Sequence, residues 1–429
     1  MNAHVLSELG RRTDEPPVSW LMATALARPQ LISLAAGFTD SQSLPVKEAG
    51  RLLQEILGAP RTGQAALQYG TTIGDGALRR LTARRLQSLD GQHAAPRAYS
   101  PDRMIITNGS QQMLYMVTEA LCDPGDIVLV EDPSYYVYLS ILQSHGVRAR
   151  GVRMETDGLD LARLEEVLIT LKRSGELRHV KLLYLISYYQ NPTGRTTSCA
   201  KKAGALKLLR QFEAAAGHPI YLLEDTAYRE LRFAGDGVAS ALAIKGCSDR
   251  VIYTGTYSKP FATGTRVGFG LIPDPVFTTV LRIKGNHDFG SSNLLQQLLA
   301  RALASGFYEE HLAVLRRRYA RKARLMREAL QQHFPPEVEW QEPGGGLYFW
   351  ARLPQRLTSG RGSKVFQRAL ANDVLYVPGE LCYADDPTRR KPNHEMRLSF
   401  GGATEANVRK GIARLGAVLQ DCLGGQASC

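Results

Sequence analysis

Seven short apolar runs between residues 104 and 272 set the strongest limit on what this chain can fold into. They are Met104–Thr107, Ile127–Glu131, Val147–Met154, Lys181–Ser187, Ile220–Glu224, Val251–Gly255 and Val267–Ile272. Most are nearly continuous rather than alternating, so the strands built from them must be covered on both faces. Segments with helical spacing, Gln111–Leu121, Ser134–Ser144, Leu161–Arg173 and Ala200–Ala216, separate most of the runs and supply that cover. The pattern predicts an α/β fold whose large unit holds a mostly parallel, seven-stranded sheet sandwiched by helices. Ligands of such sheets bind beyond the carboxyl ends of the strands. The polar motifs of this chain follow its apolar runs directly.

After Ile272 the pattern changes. A strongly helical stretch from Leu294 to Phe334 precedes strand-like segments at Val338–Trp340, Leu347–Leu353 and Met396–Phe400, with a helix near Lys364–Asn372. This reads as a smaller α+β domain. The expected division is 1–45 as an N-terminal arm and part of the small domain, 46–305 as the large domain and 306–429 as the C-terminal small domain, with Leu423–Cys429 disordered. A chain of 429 residues, 44% apolar and 22% charged, has the balance of a soluble globular protein. No segment approaches the ~20 apolar residues of a membrane span, and Met1–Gly10 lacks a signal-peptide pattern. The expected compartment is the cytoplasm. The net charge of +12 is spread through helices such as Arg316 to Arg324, so it reads as a solvated face and not as a nucleic-acid arm. Six scattered cysteines without paired spacing predict neither disulfides nor a metal site.

Six motifs carry chemistry. Thr254-Gly-Thr-Tyr-Ser-Lys-Pro ends a strand at Lys259, and Arg266 follows seven residues later. A lysine nucleophile needs a lowered pKa, which a nearby cation or an apolar pocket provides. Thr256, Ser258 and Arg266 together suit a phosphate dianion, whereas Lys259 alone would pass for surface decoration. In Leu223-Glu-Asp-Thr-Ala-Tyr-Arg, Asp225 follows an apolar run. It either caps a helix or pairs with a buried cation such as a protonated pyridine nitrogen; Tyr228 stands one helical turn on. Asn191 lies in Ser187-Tyr-Tyr-Gln-Asn-Pro-Thr-Gly, a plain turn or a rigidly held amide donor. Gly109, Ser110 and Gln111 open a helix after a strand, where free N–H groups make an N-cap or a phosphate seat. Tyr135, in Glu131-Asp-Pro-Ser-Tyr-Tyr, is a core residue or a stacking partner for a flat ring. Arg397, in the strand-like Met396-Arg-Leu-Ser-Phe, calls for an internal acid or a substrate carboxylate.

With these motifs in this order, the chain resembles the class I/II aminotransferases of pyridoxal-phosphate fold type I, nearest the group of α-aminoadipate, kynurenine and aromatic aminotransferases. Ile32-Ser-Leu-Ala-Ala-Gly-Phe, Leu67-Gln-Tyr-Gly and Pro343-Gly-Gly-Gly-Leu-Tyr-Phe-Trp carry the same resemblance, which spans nearly the whole chain. It implies pyridoxal 5′-phosphate held by Lys259 as a Schiff base. Asp225 would pair with the pyridine nitrogen, Tyr228 and Asn191 with the phenolic oxygen, and Tyr135 with the ring face. Ser110, Gln111, Ser258 and Arg266 would hold the phosphate, beside Gly109 and Thr256. Tyr69 would reach that phosphate from a neighbouring subunit, making the active unit a homodimer with shared sites. Arg397, Asn191 and the backbone near Gly37 would bind the substrate carboxylate. The implied activity is ping-pong transfer of an amino group from an L-amino acid to a 2-oxo acid, with Lys259 moving the proton.

Some members that take acidic side chains carry an arginine after a Pro-aliphatic pair. Ser19, in Pro17-Val-Ser-Trp, occupies that place here. The substitution favours an aromatic or neutral side chain between Trp20 and Tyr69, unless Arg28, Arg282 or Lys284 substitutes. Ser291, Ser292 and Asn293 are expected near the dimer interface, either touching substrate or simply entering a helix. Other relatives are regulators with a DNA-binding domain ahead of the enzyme-like part. The resemblance begins near residue 17, so no such domain is expected here. Intact Lys259, Asp225, Arg266 and Arg397 argue against a non-catalytic relic. A decarboxylase, lyase or oxidative deaminase on the same scaffold is the alternative.

Overall fold

The computed structural model describes residues 5–91 and 95–424. Its strands are β1 (Ile32–Ser33), β2 (Met104–Thr107), β3 (Ile127–Asp132), β4 (Arg148–Glu155), β5 (Gly158–Leu159), β6 (Val180–Ile186), β7 (Tyr221–Asp225), β8 (Val251–Thr256), β9 (Gly268–Leu271), β10 (Glu339–Gln341), β11 (Tyr348–Arg352), β12 (Val374–Leu375), β13 (Val377–Pro378) and β14 (Glu395–Ser399). All seven apolar runs form strands of one sheet, in the order β2-β9-β8-β7-β6-β3-β4-β5. The two-residue β5 folds back antiparallel on β4 and makes the sheet eight-stranded. The ladders β4·β3, β3·β6, β6·β7 and β7·β8 are parallel, while β9 runs antiparallel to both β8 and β2.

Register sets the site. Asp225, the last residue of β7, lies beside Ile186 at the end of β6 and Thr254 near the end of β8. Three strand ends therefore open at one level, where the connecting loops carry the polar motifs. Helices Gly109–Leu121, Tyr136–Ser144, Leu161–Arg173 and Cys199–Ala216 follow β2, β3, β5 and β6. Two of them are capped from the sequence: Asp160 accepts from the Arg163 N–H and Ser198 from the Lys201 N–H.

A second sheet has the order β10-β11-β14-β13, and β1 pairs in parallel with β12. The expected helical stretch from Leu294 to Phe334 is two helices, Asn293–Ala304 and Phe307–His333, because Gly306 takes φ +81 between them. The terminal helix Glu405–Gly424 includes Leu423 and Gly424, so the expected disorder does not begin at Leu423; its apolar stripe, Val408, Ile412, Leu415 and Leu419, is buried. The rest of that expectation, 425–429, lies outside the described residues. No described helix is long and apolar enough to cross a membrane.

Candidate active site

The loops beyond β2, β3, β6, β7 and β8 enclose a cavity of about 100 Å³. Gly109, Ser110, Gln111, Tyr135, Asn191, Asp225, Tyr228, Thr256, Ser258, Lys259 and Arg266 all line it. An adjoining cavity of about 230 Å³ shares Tyr135, Asn191, Tyr228, Lys259 and Arg266 with the first and adds Gly37 and Arg397. Thirteen of the fourteen residues singled out in the sequence thus converge. The fourteenth, Tyr69, lines neither cavity; it is 83% exposed and lies edge-on to Phe289.

Unmatched charge dominates the floor. Asp225 is buried, accepts from the Tyr184 hydroxyl at 2.9 Å and from the Ala227 N–H at 3.1 Å, and has no cationic partner among the described residues. Burial lifts its carboxyl to about 6, against which those two hydrogen bonds work. Of the two readings left open by the sequence, helix capping fails: no helix follows Asp225 directly.

Lys259 stands three residues past the end of β8. Its Nζ donates to the Gly37 carbonyl at 2.7 Å and meets no carboxylate among the described residues. Burial first, then the charges of Arg397 and Arg266, lower its pKa to about 8. Behind it, the Ser258 N–H donates to Thr256 Oγ1 at 3.1 Å, and Thr256 Oγ1 donates to the Val267 carbonyl. Ser258 Oγ is left buried without a partner, a polar atom that costs free energy unless something else occupies the cavity.

The far end of that cavity is a helix start. Gly109 takes φ +74, and the Asn108 N–H is met by Gln112 Oε1 at 2.8 Å. A Cβ on Gly268 would stand 2.4 Å from the Gly109 carbonyl carbon and 2.5 Å from the Ser110 nitrogen, so β9 holds this N-terminus in close contact. Arg266 adopts φ +48, a conformation a non-glycine residue seldom takes away from functional sites. No acid pairs with it among the described residues. Free N–H groups, hydroxyls and an unpaired guanidinium together make an anion seat.

In the second cavity, Arg397 is 1% exposed on β14 and also faces no acid. Nη1 donates to Asn191 Oδ1 at 2.7 Å, Nη2 donates to the Ala35 carbonyl, and Nε has no partner. The internal acid left open by the sequence is absent among the described residues. The guanidinium lies 4.2 Å from the ring centre of Tyr348, and the Tyr348 hydroxyl is 2.9 Å from that of Tyr228. In the sequence Tyr348 is visible only as part of a glycine-rich string, and nothing in its spacing marks it.

The wall of this cavity corrects one expectation. Val18, Leu21, Met22 and Ala25, from helix Pro17–Leu26, line it. Trp20 does not: it faces away, edge-on to Phe366, with Arg361 over its ring. The 3.6-residue period puts 18, 21, 22 and 25 on one face and 20 on the other. Ser19 is exposed. Arg28, Arg282 and Lys284 line neither cavity, and Lys284 is bound to Asp288 at 2.8 Å. Ser291 and Asn293 are tied within the chain, to Lys284 Nζ and to the Ala65 carbonyl.

Comparison with known proteins agrees with this geometry. The model of the family described as "Aminotransferase class I and II" matches residues 29–415. The chain is 31% identical over 394 residues to an aromatic-amino-acid aminotransferase of Thermococcus litoralis, covering 91% of this chain and 88% of that one. Its fold matches the kynurenine aminotransferase of Pyrococcus horikoshii, a structure with PMP, at TM-score 0.87, 30% identity and 98% coverage of each chain. It also matches the α-aminoadipate aminotransferase of Thermus thermophilus, complexed with N-(5′-phosphopyridoxyl)-L-leucine, at TM-score 0.84 and 30% identity, covering 98% of this chain and 99% of that one.

Proposed function

The chain belongs to the class I and II aminotransferases, pyridoxal-phosphate enzymes of fold type I, and we propose that it moves the amino group of an L-amino acid with an aromatic or neutral side chain to a 2-oxo acid in a ping-pong cycle. One observation carries this reading: an unpaired carboxylate, an unpaired lysine and an unpaired buried guanidinium converge on two joined cavities. Charges buried without partners are costly, and the cofactor and an amino acid carry the complementary groups. The relatives named above bear aminotransferase names, which favours transamination over a decarboxylase, lyase or oxidative deaminase.

The cofactor's groups suit the cradle. The helix start at Gly109, Ser110 and Gln111, with the orphaned Ser258 hydroxyl, Thr256 and Arg266, holds the phosphate. Asp225 would pair with the pyridine nitrogen, and a cation against it would reverse the lift that burial gives its carboxyl. Tyr135 would back the ring, while the Tyr228 hydroxyl and the amide of Asn191 would donate to the phenolic oxygen. When bound, pyridoxal phosphate supplies a conjugated ring that takes up negative charge from the substrate α-carbon. Arg397 receives the substrate carboxylate as a two-pronged partner, steadied by Asn191. Lys259, its pKa already lowered, anchors the cofactor at rest; displaced by substrate, its neutral Nζ takes the proton from Cα and returns it one atom beyond.

Val18, Leu21, Met22 and Ala25 give the substrate side chain an apolar wall without a cation, so an acidic side chain would lose its hydration uncompensated. Tyr69 belongs to the site of a second copy: with Leu67 and Phe289 it forms an exposed apolar edge that a homodimer covers. The large unit spans 46–305, and 1–45 with 306–429 make the small one. The decisive experiment is a donor panel with single-turnover release of the 2-oxo acid. Aromatic and neutral donors should exceed glutamate and 2-aminoadipate in kcat/KM; the reverse order would reject the specificity, and no 2-oxo acid from any donor would reject transamination.

A further inference from the structure

Tyr348 opens β11 two residues after the Gly344–Gly346 run and is 1% exposed. It touches both halves of the site. Its ring centre is 4.2 Å from the Arg397 guanidinium, and its hydroxyl is 2.9 Å from the Tyr228 hydroxyl. Its ring also lies edge-on to Tyr228, 5.5 Å between centres. The space it fills exists because residue 37 has no side chain: a Cβ there would stand 2.8 Å from the Tyr348 oxygen. The carbonyl of that same Gly37 holds Lys259 Nζ.

We propose that Tyr348 is a positioning residue that couples the carboxylate seat at Arg397 to the cofactor-facing hydroxyl of Tyr228; this rests on the roles assigned to Tyr228 and Arg397 above. Proton count sets the direction of the coupling. Tyr228 is the hydrogen-bond partner of the buried Tyr348 hydroxyl, and each hydroxyl has a single proton to give. If Tyr348 donates to the Tyr228 oxygen, the Tyr228 proton is left to point into the cavity. A hydroxyl that accepts one hydrogen bond donates the next one more strongly. The ring of Tyr348 acts separately, backing the guanidinium by a desolvated cation–π contact and keeping its fork aimed at the cavity. Hydroxyl and ring can therefore be removed one at a time.

The experiment is a pH titration of the visible band of the lysine-bound cofactor in the holoenzyme, for wild type, Tyr348→Phe, Tyr228→Phe and the double variant. Loss of the Tyr348 hydroxyl weakens the bond to the phenolic oxygen. More negative charge stays there, and the proton on the adjacent nitrogen is held to higher pH. Tyr348→Phe should raise the titration midpoint by about half a unit. In the Tyr228→Phe background the same change should add nothing, because the intermediary is gone. Tyr348→Phe should leave KM within about twofold, and Tyr348→Leu, which removes the ring, should raise it about tenfold. A wild-type band with coincident wild-type and Tyr348→Phe titrations overturns the coupling. An equal shift in the Tyr228→Phe background also overturns it, since the hydroxyl then acts by another route. A wild type with no visible band removes the assignment of Lys259 and this inference with it.

Discussion

Asp225→Asn should stabilise the cofactor-free protein and cripple the loaded one. Asp225 is 4% exposed with no cation beside its carboxyl, and burial lifts its pKa from 3.8 to about 6. A difference of about two pKa units corresponds to about 3 kcal/mol. The sign follows from which form the fold disfavours. Below about pH 4 the carboxyl is neutral folded and unfolded, and no penalty exists. Between about pH 4 and 6 the unfolded chain releases the proton first, and the penalty grows. Above about 6 it is fully present. An asparagine keeps an acceptor for the Tyr184 hydroxyl or the Ala227 N–H and carries no charge. Cofactor-free Asp225→Asn should therefore exceed wild type by up to about 3 kcal/mol at about pH 7.5 in urea unfolding, with the gap closing towards pH 4. In the loaded enzyme the order should reverse, because the variant lacks the anion proposed to face the pyridine nitrogen; turnover should fall by at least about a hundredfold. A cofactor-free variant less stable than wild type near neutral pH would refute the reasoning, since the carboxylate would then have a partner the geometry does not contain.

Arg397→Gln removes a guanidinium that has no acid beside it among the described residues; initial rates should show KM for the donor raised about a hundredfold, the effect of losing one half of a buried charge pair. Gly268→Ala drives a Cβ to 2.4 Å of the helix start at Gly109. Denaturant titration should show a loss of about 1–3 kcal/mol, with weaker cofactor retention on dialysis. By contrast Gly237→Ala, which meets nothing within 4 Å, should change neither. The rate at which cofactor-free protein captures pyridoxal phosphate should rise about tenfold from about pH 7 to 9, because Lys259 is reactive when neutral and its pKa lies at about 8; stopped-flow absorbance reads it. In Arg397→Gln the midpoint should move upward, since that neighbour's charge helps to keep it low.

The sheet is legible in the sequence because most of its strands are apolar on both faces and announce themselves without periodicity; all seven runs fall in one sheet, β4 among them although Arg148, Arg150 and Arg153 interrupt it. The residues proposed to hold the cofactor are legible for a related reason: polar side chains placed directly after such runs must sit at strand ends, where the sheet opens. Elsewhere the signals are ambiguous. Trp20 suggests a pocket wall because it is large and aromatic. Which face of a ten-residue helix looks inward depends on packing, here against Phe366 and Arg361. The break at Gly306 is hidden in a stretch whose residues on both sides are good helix formers. Tyr348 gives no signal because its importance comes from β11 lying beside β14, which brings it onto Arg397 across the register. Tyr69 illustrates the converse: it is exposed in the single chain, and the role proposed for it requires a second copy.

The central claim is that Lys259 holds the cofactor and moves the proton, and a single spectroscopic titration addresses it. Wild type purified with pyridoxal phosphate should show a visible band that an amino acid donor converts to the near-ultraviolet absorbance of pyridoxamine phosphate, with equimolar release of the 2-oxo acid. Lys259→Ala should lack that band until an external amine is supplied, and should not complete the conversion. A visible band and donor-driven conversion that both survive in Lys259→Ala would contradict the account.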